Sequence, residues 1–266
     1  MAKTANSVLV DMTRCIGCRG CQIACKAWNE RSARKTVMYG NFTNPTDLNS
    51  DCFTNVRFVE NGNGKTPVWS FVKNQCLHCQ DPSCASVCPV AAFRKSDEGP
   101  VTYDYERCIG CRYCMLACPF EVPKYEWEKL LPAVQKCTFC AERIQDGLLP
   151  SCIKTCPTKT MFFGKREDVV AEAKRRIASA PGKYVNHVYG IEEAGGTSWL
   201  YISSVPFGEL GFNMDVPKVQ LPGLTWSYIS SIPAVIGVVL VAGVGSWVVT
   251  RRNEVKEKEG GKEDRP

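Results

Sequence analysis

The chain has 266 residues, 44% hydrophobic and 23% charged, with a formal net charge of +6 and seventeen cysteines. That length suits one or two modest domains, and the composition excludes a disordered or fibrous chain. A basic balance would ordinarily point to nucleic acid or an anionic surface, but the cysteines supply another use for it, so no nucleic-acid partner is expected.

Residues 1–7 are short and polar, with no apolar run and no twin arginine, so no signal peptide is expected. Residues 8–25 read VLVDMTRCIGCRGCQIAC. Cys15, Cys18, Cys21 and Cys25 follow C-x2-C-x2-C-x3-C, the bacterial ferredoxin spacing for [4Fe–4S] clusters. Three thiolates at that spacing wrap one cube, and the fourth, about one helical turn on, points to a different cube. The expected unit is a short strand, a tight loop at Gly17 and a short helix. Lys26 stands where proline usually follows, so this helix is expected to run on through Trp28 and Arg31. Trp28 is read as a packing residue, the alternative being a contact surface beside a cluster.

Residues 34–66 are polar and read as a long ordered insertion, with a strand pair at 56–59 and 68–72 across a turn at 61–64. Cys52 lies outside every motif and is expected to be a buried or free thiol. Cys76, Cys79, Cys84, Cys88 and Pro89 form a second motif, expanded by Asp81-Pro82. His78 sits between its first two cysteines. It is expected to be exposed and inert; the alternative is a hydrogen bond to a sulfur that makes the cluster respond to pH.

Residues 101–119, VTYDYERCIGCRYCMLACP, repeat the first motif almost position by position and place Cys108, Cys111, Cys114 and Cys118 before Pro119. Only nineteen residues separate Cys88 from Cys108, so motifs two and three are expected to form a compact two-cluster ferredoxin. Cys137, Cys140, Cys152, Cys156 and Pro157 form the fourth motif, with residues 141–151 inserted as a surface loop. Sixteen cysteines in four such groups do not resemble a disulfide framework, and zinc sites lack this spacing. With every ligand position a cysteine, four cubes are expected rather than three and a three-iron site. Four oxidised cubes at about −2 each would bring the net charge to about −2, so the basic excess compensates them.

Residues 165–179 read as a helix with a solvated face and i,i+4 charge pairs, and 199–203 as a strand. Residues 227–250, SYISSIPAVIGVVLVAGVGSWVVT, carry no formal charge over 24 residues and are expected to span a bilayer once. Trp226, Tyr228 and Trp247 sit near its ends, Pro233 near its start, and Gly237, Gly243 and Gly245 offer a face for another membrane helix. The tail 251–266 holds six Lys/Arg against one in 211–226, which puts the tail in the cytoplasm and the cluster domain outside. Cluster assembly needs reduced thiols, so export as a folded complex on a partner's twin-arginine signal is expected.

With these motifs placed, the chain resembles the four-cluster iron–sulfur subunits of membrane-bound respiratory oxidoreductases. CIGCRGCQIACKAWNE and NPTDL resemble the formate dehydrogenase-N beta subunit; CRYCMLACPFEVPKYEWE and VYGIEEAGGTSWLYISSVPFGEL resemble the ferredoxin subunit of periplasmic NiFe hydrogenases. The resemblance implies an α+β fold of two tandem ferredoxin-like two-cluster modules, motifs I/IV and II/III, plus one C-terminal transmembrane helix. It divides the chain into a cluster domain over 1–210 with the II/III module (about 73–125) inserted, a linker over 211–226, the span over 227–250 and the tail. It implies nested ligation: Cys15, Cys18, Cys21 and Cys156; Cys137, Cys140, Cys152 and Cys25; Cys108, Cys111, Cys114 and Cys88; and Cys76, Cys79, Cys84 and Cys118. By the same resemblance the cubes form a line: the motif-one cube nearest the catalytic subunit, then motif four, motif three, and motif two nearest the membrane.

The role implied is a wire. Electrons pass between a large catalytic subunit (Mo/W-pterin or NiFe, formate dehydrogenase type favoured) and a membrane cytochrome b or quinone-binding subunit. No Ser/His/Asp set, phosphate loop or dinucleotide fingerprint is present, so no catalysis by this chain is expected. The rivals are a cluster-bearing sensor or assembly scaffold, and a wire from quinol to a molybdenum reductase.

Overall fold

The computed structural model describes residues 5–38, 40–61 and 68–260. Most of the expected 61–64 turn and the end of the tail lie outside the described residues. Two compact units result, Met1–Pro222 and Gly223–Pro266.

The first unit begins β1 (Asn6–Asp11), α1 (Gly20–Trp28), β2 (Thr54–Asn61), β3 (Val68–Gln75), α2 (Ser83–Ser86), β4 (Phe93–Lys95), β5 (Val101–Tyr103) and α3 (Tyr113–Leu116). It continues through β6 (Lys124–Tyr125), β7 (Val134–Gln135), α4 (Ala141–Gln145), α5 (Ser151–Lys154), β8 (Met161–Lys165), α6 (Arg166–Ser179) and β9 (Trp199–Ile202). The chain is mixed α/β. Its main sheet has the order β8-β1-β9, with β1 antiparallel to β8 and parallel to β9.

The two-residue period of the strands divides the core. Leu9, Leu200 and Ile202 face one way and meet Val169 and Ala173 of α6. Val8, Val10, Trp199 and Tyr201 face the other way and pack with Phe139, Ile153 and Cys152, on the side of the motif cysteines. So α6 has the solvated face its charge suggested and, opposite it, a buried one. Val169 and Ala173, four residues apart, make a fully buried stripe. Its charges do pair, with Glu172 accepting from Arg175 at 2.7 Å and Arg176 at 2.7 Å, but Arg176 also reaches the buried Asp11 at 3.0 Å.

β2 and β3 form the expected antiparallel pair, in register from Thr54↔Gln75 to Asn61↔Val68. Two shorter hairpin pairings are also present among the described residues, β4–β5 over three residue pairs and β6–β7 over two, and they flank the third motif.

The described residues of the second unit all belong to one helix, α7 (Leu221–Gly260), which begins six residues before the expected span. Within Leu221–Glu254 an 18-residue window reaches a mean hydropathy of 2.3 with none of it buried, so the helix is long and apolar enough to cross a membrane. Pro233 lies inside α7, where it removes one backbone donor. Ser231 Oγ donates to the Tyr228 carbonyl at 2.7 Å one turn earlier.

Candidate iron–sulfur centres

Each motif opens on the same backbone turn. The residue before the second cysteine is left-handed in all four: Gly17 at φ +67°, His78 at +50°, Gly110 at +69° and Phe139 at +57°. Glycine takes that conformation without strain; His78 and Phe139 hold it because packing leaves them no alternative. Both are buried, with their rings 4.9 Å apart. The turn aims amides at the first cysteine. Phe139 N donates to Cys137 Sγ at 3.3 Å, and the Gly17 and Gly110 amides do the same for Cys15 and Cys108. Such N–H···S bonds stabilise negative charge on the sulfur.

The motifs close alike too, with one exception. After the Cys-Pro pairs, Ala91, Glu121 and Lys159 are left-handed at φ +50°, +53° and +49°, and helices α2, α3 and α5 have only four residues each. Lys26 replaces the proline in the first motif, and α1 runs nine residues to Trp28. It stops short of Arg31, because Asn29 Nδ2 folds back on the Cys25 carbonyl at 2.7 Å and Glu30 turns left-handed. Trp28 is 42% exposed and carries the Arg143 guanidinium 4.5 Å over its ring, so it is a surface stacking platform rather than a core residue.

Four quartets of thiols emerge from which sulfurs sense one another. Cys15 and Cys21 have Cys18 and Cys156 or one another as electrostatic neighbours. Cys25 has Cys137, Cys152 and Cys140. Cys79 has Cys76, Cys118 and Cys84, and Cys114 has Cys108, Cys111 and Cys88. Helix packing underlies this: α1 lies on α5 and α2 on α3, and Ser151 Oγ ties α5 to the Ala24 carbonyl at 3.0 Å. Three contacts link the quartets. Cys21 neighbours Cys152, Cys137 neighbours Cys76, and Cys84 neighbours Cys114. The quartets therefore queue as those of Cys15, Cys25, Cys76 and Cys108. The last two stand in the opposite order from the line the resemblance implies. The cause is β3, which passes Val72 and Lys73 through the core beside the Cys25 quartet and delivers Cys76 three residues later, packed against Cys25 and Cys137. Only Cys18 and Cys111, in the outer two quartets, are exposed.

The donor chemistry fits iron–sulfur cubes. Burial first, then repulsion among neighbouring sulfurs, pushes Cys21 up to about 11 and Cys114 to about 12. For Cys137 burial and repulsion from Cys76 and Cys140 raise it to about 12. Four neighbouring thiolates are thus disfavoured without iron, which deprotonates its thiol ligands and offsets their charge. Cys108 and Cys156 are lowered instead. At Cys108 burial is outweighed by the Tyr103 hydroxyl and the Val134 and Gly110 amides; at Cys156 by the Thr158 and Thr160 amides and hydroxyls. Among the described residues no three His, Cys, Asp or Glu side chains converge on a single ion. One metal at about 2.3 Å from each sulfur needs tighter convergence than a cube, whose four ligands stand on four different irons.

His78 is wholly buried, correcting its expected exposure, because its loop is pinned by backbone bonds from Ser198 N to the Leu77 carbonyl at 3.0 Å and to the His78 carbonyl at 3.1 Å. Its Nδ1 accepts the Val101 amide at 2.9 Å, and burial and then Lys136 hold it well below the ordinary histidine range, so it is neutral with the proton on Nε2. Cys52 is buried and outside the quartets, its Sγ donating to the Thr54 carbonyl at 3.1 Å. Motif spacing did not single out Lys73, Lys136 or Tyr103. The available signal was a lysine inside the apolar strand run VWSFVKNQ, a place where a cation is seldom buried without an anion.

The 4Fe-4S dicluster domain family model matches residues 67–166. The chain is 42% identical to a protein of Nitratidesulfovibrio vulgaris over 259 residues, covering 95% of this chain and 68% of the relative. It is 37% identical to the hydrogenase-2 operon protein HybA of Escherichia coli O157:H7 over 247 residues, covering 80% of this chain and 73% of the relative. It is 38% identical to the nitrate-inducible formate dehydrogenase iron–sulfur subunit of Escherichia coli K12 over 197 residues, covering 73% and 66%.

Proposed function

We propose, from the premise that this chain belongs to the family of 4Fe-4S iron–sulfur subunits that includes HybA and the formate dehydrogenase iron–sulfur subunits, that it is the electron wire of a membrane-bound respiratory complex. Four [4Fe–4S] clusters are held by Cys15, Cys18, Cys21 and Cys156; by Cys25, Cys137, Cys140 and Cys152; by Cys76, Cys79, Cys84 and Cys118; and by Cys88, Cys108, Cys111 and Cys114. The clusters supply one-electron chemistry. The protein's part is to hold them in a row, keep water from the inner two and aim amides and hydroxyls at the sulfurs. The observation that carries this reading is the queue of four thiol quartets with exposed cysteines at its two ends. Motifs I/IV and II/III make the two tandem modules within 1–210, supported by the α1–α5 and α2–α3 packing.

Electrons come from a large catalytic subunit of the molybdenum or tungsten formate dehydrogenase type and leave to a membrane cytochrome b or quinone-binding subunit. The longer match to HybA favours a nickel–iron hydrogenase partner as the second reading. A quinol-dependent molybdenum reductase would use the same wire in reverse. The 227–250 span anchors the cluster domain outside the cytoplasm with the tail inside; of the expected linker only 211–220 precede α7. No bond of a substrate is made or broken by this chain. The test is the complex purified through this subunit. About sixteen irons per chain and a molybdopterin or tungstopterin large subunit are expected. Nickel in the large subunit would give the hydrogenase reading, and markedly less iron would overturn the wire.

A further inference from the structure

Lys73 is only 3% exposed, and its ammonium has a fully assigned surrounding. Nζ donates to Thr54 Oγ1 at 2.9 Å and to Gln75 Oε1 at 2.8 Å, and lies 4.7 Å from the centroid of the Trp199 ring. The Thr54 hydroxyl has given its own proton to the Asn74 carbonyl at 3.0 Å. The Gln75 amide nitrogen is turned to the Tyr201 hydroxyl, which leaves its carbonyl oxygen for Lys73. Every group around Nζ is therefore an acceptor or a π face, the setting of a charged ammonium with its three donors. A buried cation needs a countercharge, and among the described residues no carboxylate pairs with it. Its electrostatic neighbours are the Cys152, Cys21 and Cys137 sulfurs and the Tyr201 hydroxyl. Lys73 also lines the cavity shared by Cys25, Cys137, Cys140 and Cys152.

We propose that Lys73 is a positioning residue for charge: its ammonium, in the cavity wall of the Cys25 quartet, stabilises an electron arriving there and raises the reduction potential of that station above what its thiols alone would set. This rests on the wire reading. The iron–sulfur group that the quartet would hold supplies the one-electron chemistry; no bond forms or breaks, and Lys73 keeps its proton throughout. Being buried, the charge is little screened by salt, so the effect persists at high ionic strength.

The test is a redox titration followed by electron paramagnetic resonance on the intact complex, with iron quantified in each sample. Lys73→Gln and Lys73→Met should each move one of the cube signals to lower potential by tenfold or more in its reduced-to-oxidised ratio, which is 59 mV for one electron. Lys73→Arg, which keeps the charge, should leave that signal where it stands, and iron content should not change. The proposal is overturned if both neutral variants keep their iron and no signal moves, or if all signals move together. Loss of iron from both neutral variants would assign Lys73 to assembly and overturn it as well. Parent complex with far fewer than about sixteen irons would instead sink the wire reading, which keeps the two failures apart.

Discussion

Gly17 sits at φ +67° with the Phe71 ring 2.8 Å from where a Cβ would stand, and that ring is one of four aromatics (Phe42, Phe58, Trp69, Phe71) packed tilted and edge-on against one another. Gly17→Ala combines a left-handed penalty with a clash against a movable ring, so it should cost about 1–3 kcal/mol. Denaturant unfolding followed by the visible cluster absorption measures it, and Phe71→Leu should recover part of the loss. Cys52 makes the opposite prediction. It is buried but belongs to no quartet, so Cys52→Ala should leave the iron content at the parent value while lowering stability by about 1 kcal/mol for the small cavity and the lost S–H bond. Iron analysis beside a thermal melt separates the two effects.

At the scale of elements, α6 is held to the sheet by Val169 and Ala173 on one side and by the Glu172–Arg176–Asp11 chain at its end. The Arg175 and then Arg176 guanidiniums bring the Glu172 carboxyl down from 4.5 to about 2. A carboxylate lowered on folding stabilises the fold above its unfolded value, and that contribution is lost as pH falls from about 4.5 towards 2. Hydrogen-exchange protection of α6 should therefore weaken as pH falls from about 4.5 towards 2, and Glu172→Gln should flatten that dependence. The helix itself was legible from its charge period; the buried face was not, because its six apolar positions are small or scattered among eight polar ones, and which of them are buried is decided only when β1 and β9 are in place.

For the whole molecule the division at Pro222 has a direct consequence. A chain ended there should keep its iron and remain in the aqueous phase, while the full chain partitions into detergent with α7; phase separation with iron analysis reads both. The cysteine spacings, the 8–25 and 101–119 repeat and the uncharged run of 227–250 could be read from the order of residues alone, since a ligand loop or a membrane span is specified within a few turns of chain. Which quartets adjoin, why His78 is neutral and buried, and that Lys73 lines the cavity of the Cys25 quartet all depend on residues dozens of positions apart. Those relations arise when β3 is threaded between motif four and β9, and no local pattern encodes a contact whose partners meet only after the core has packed.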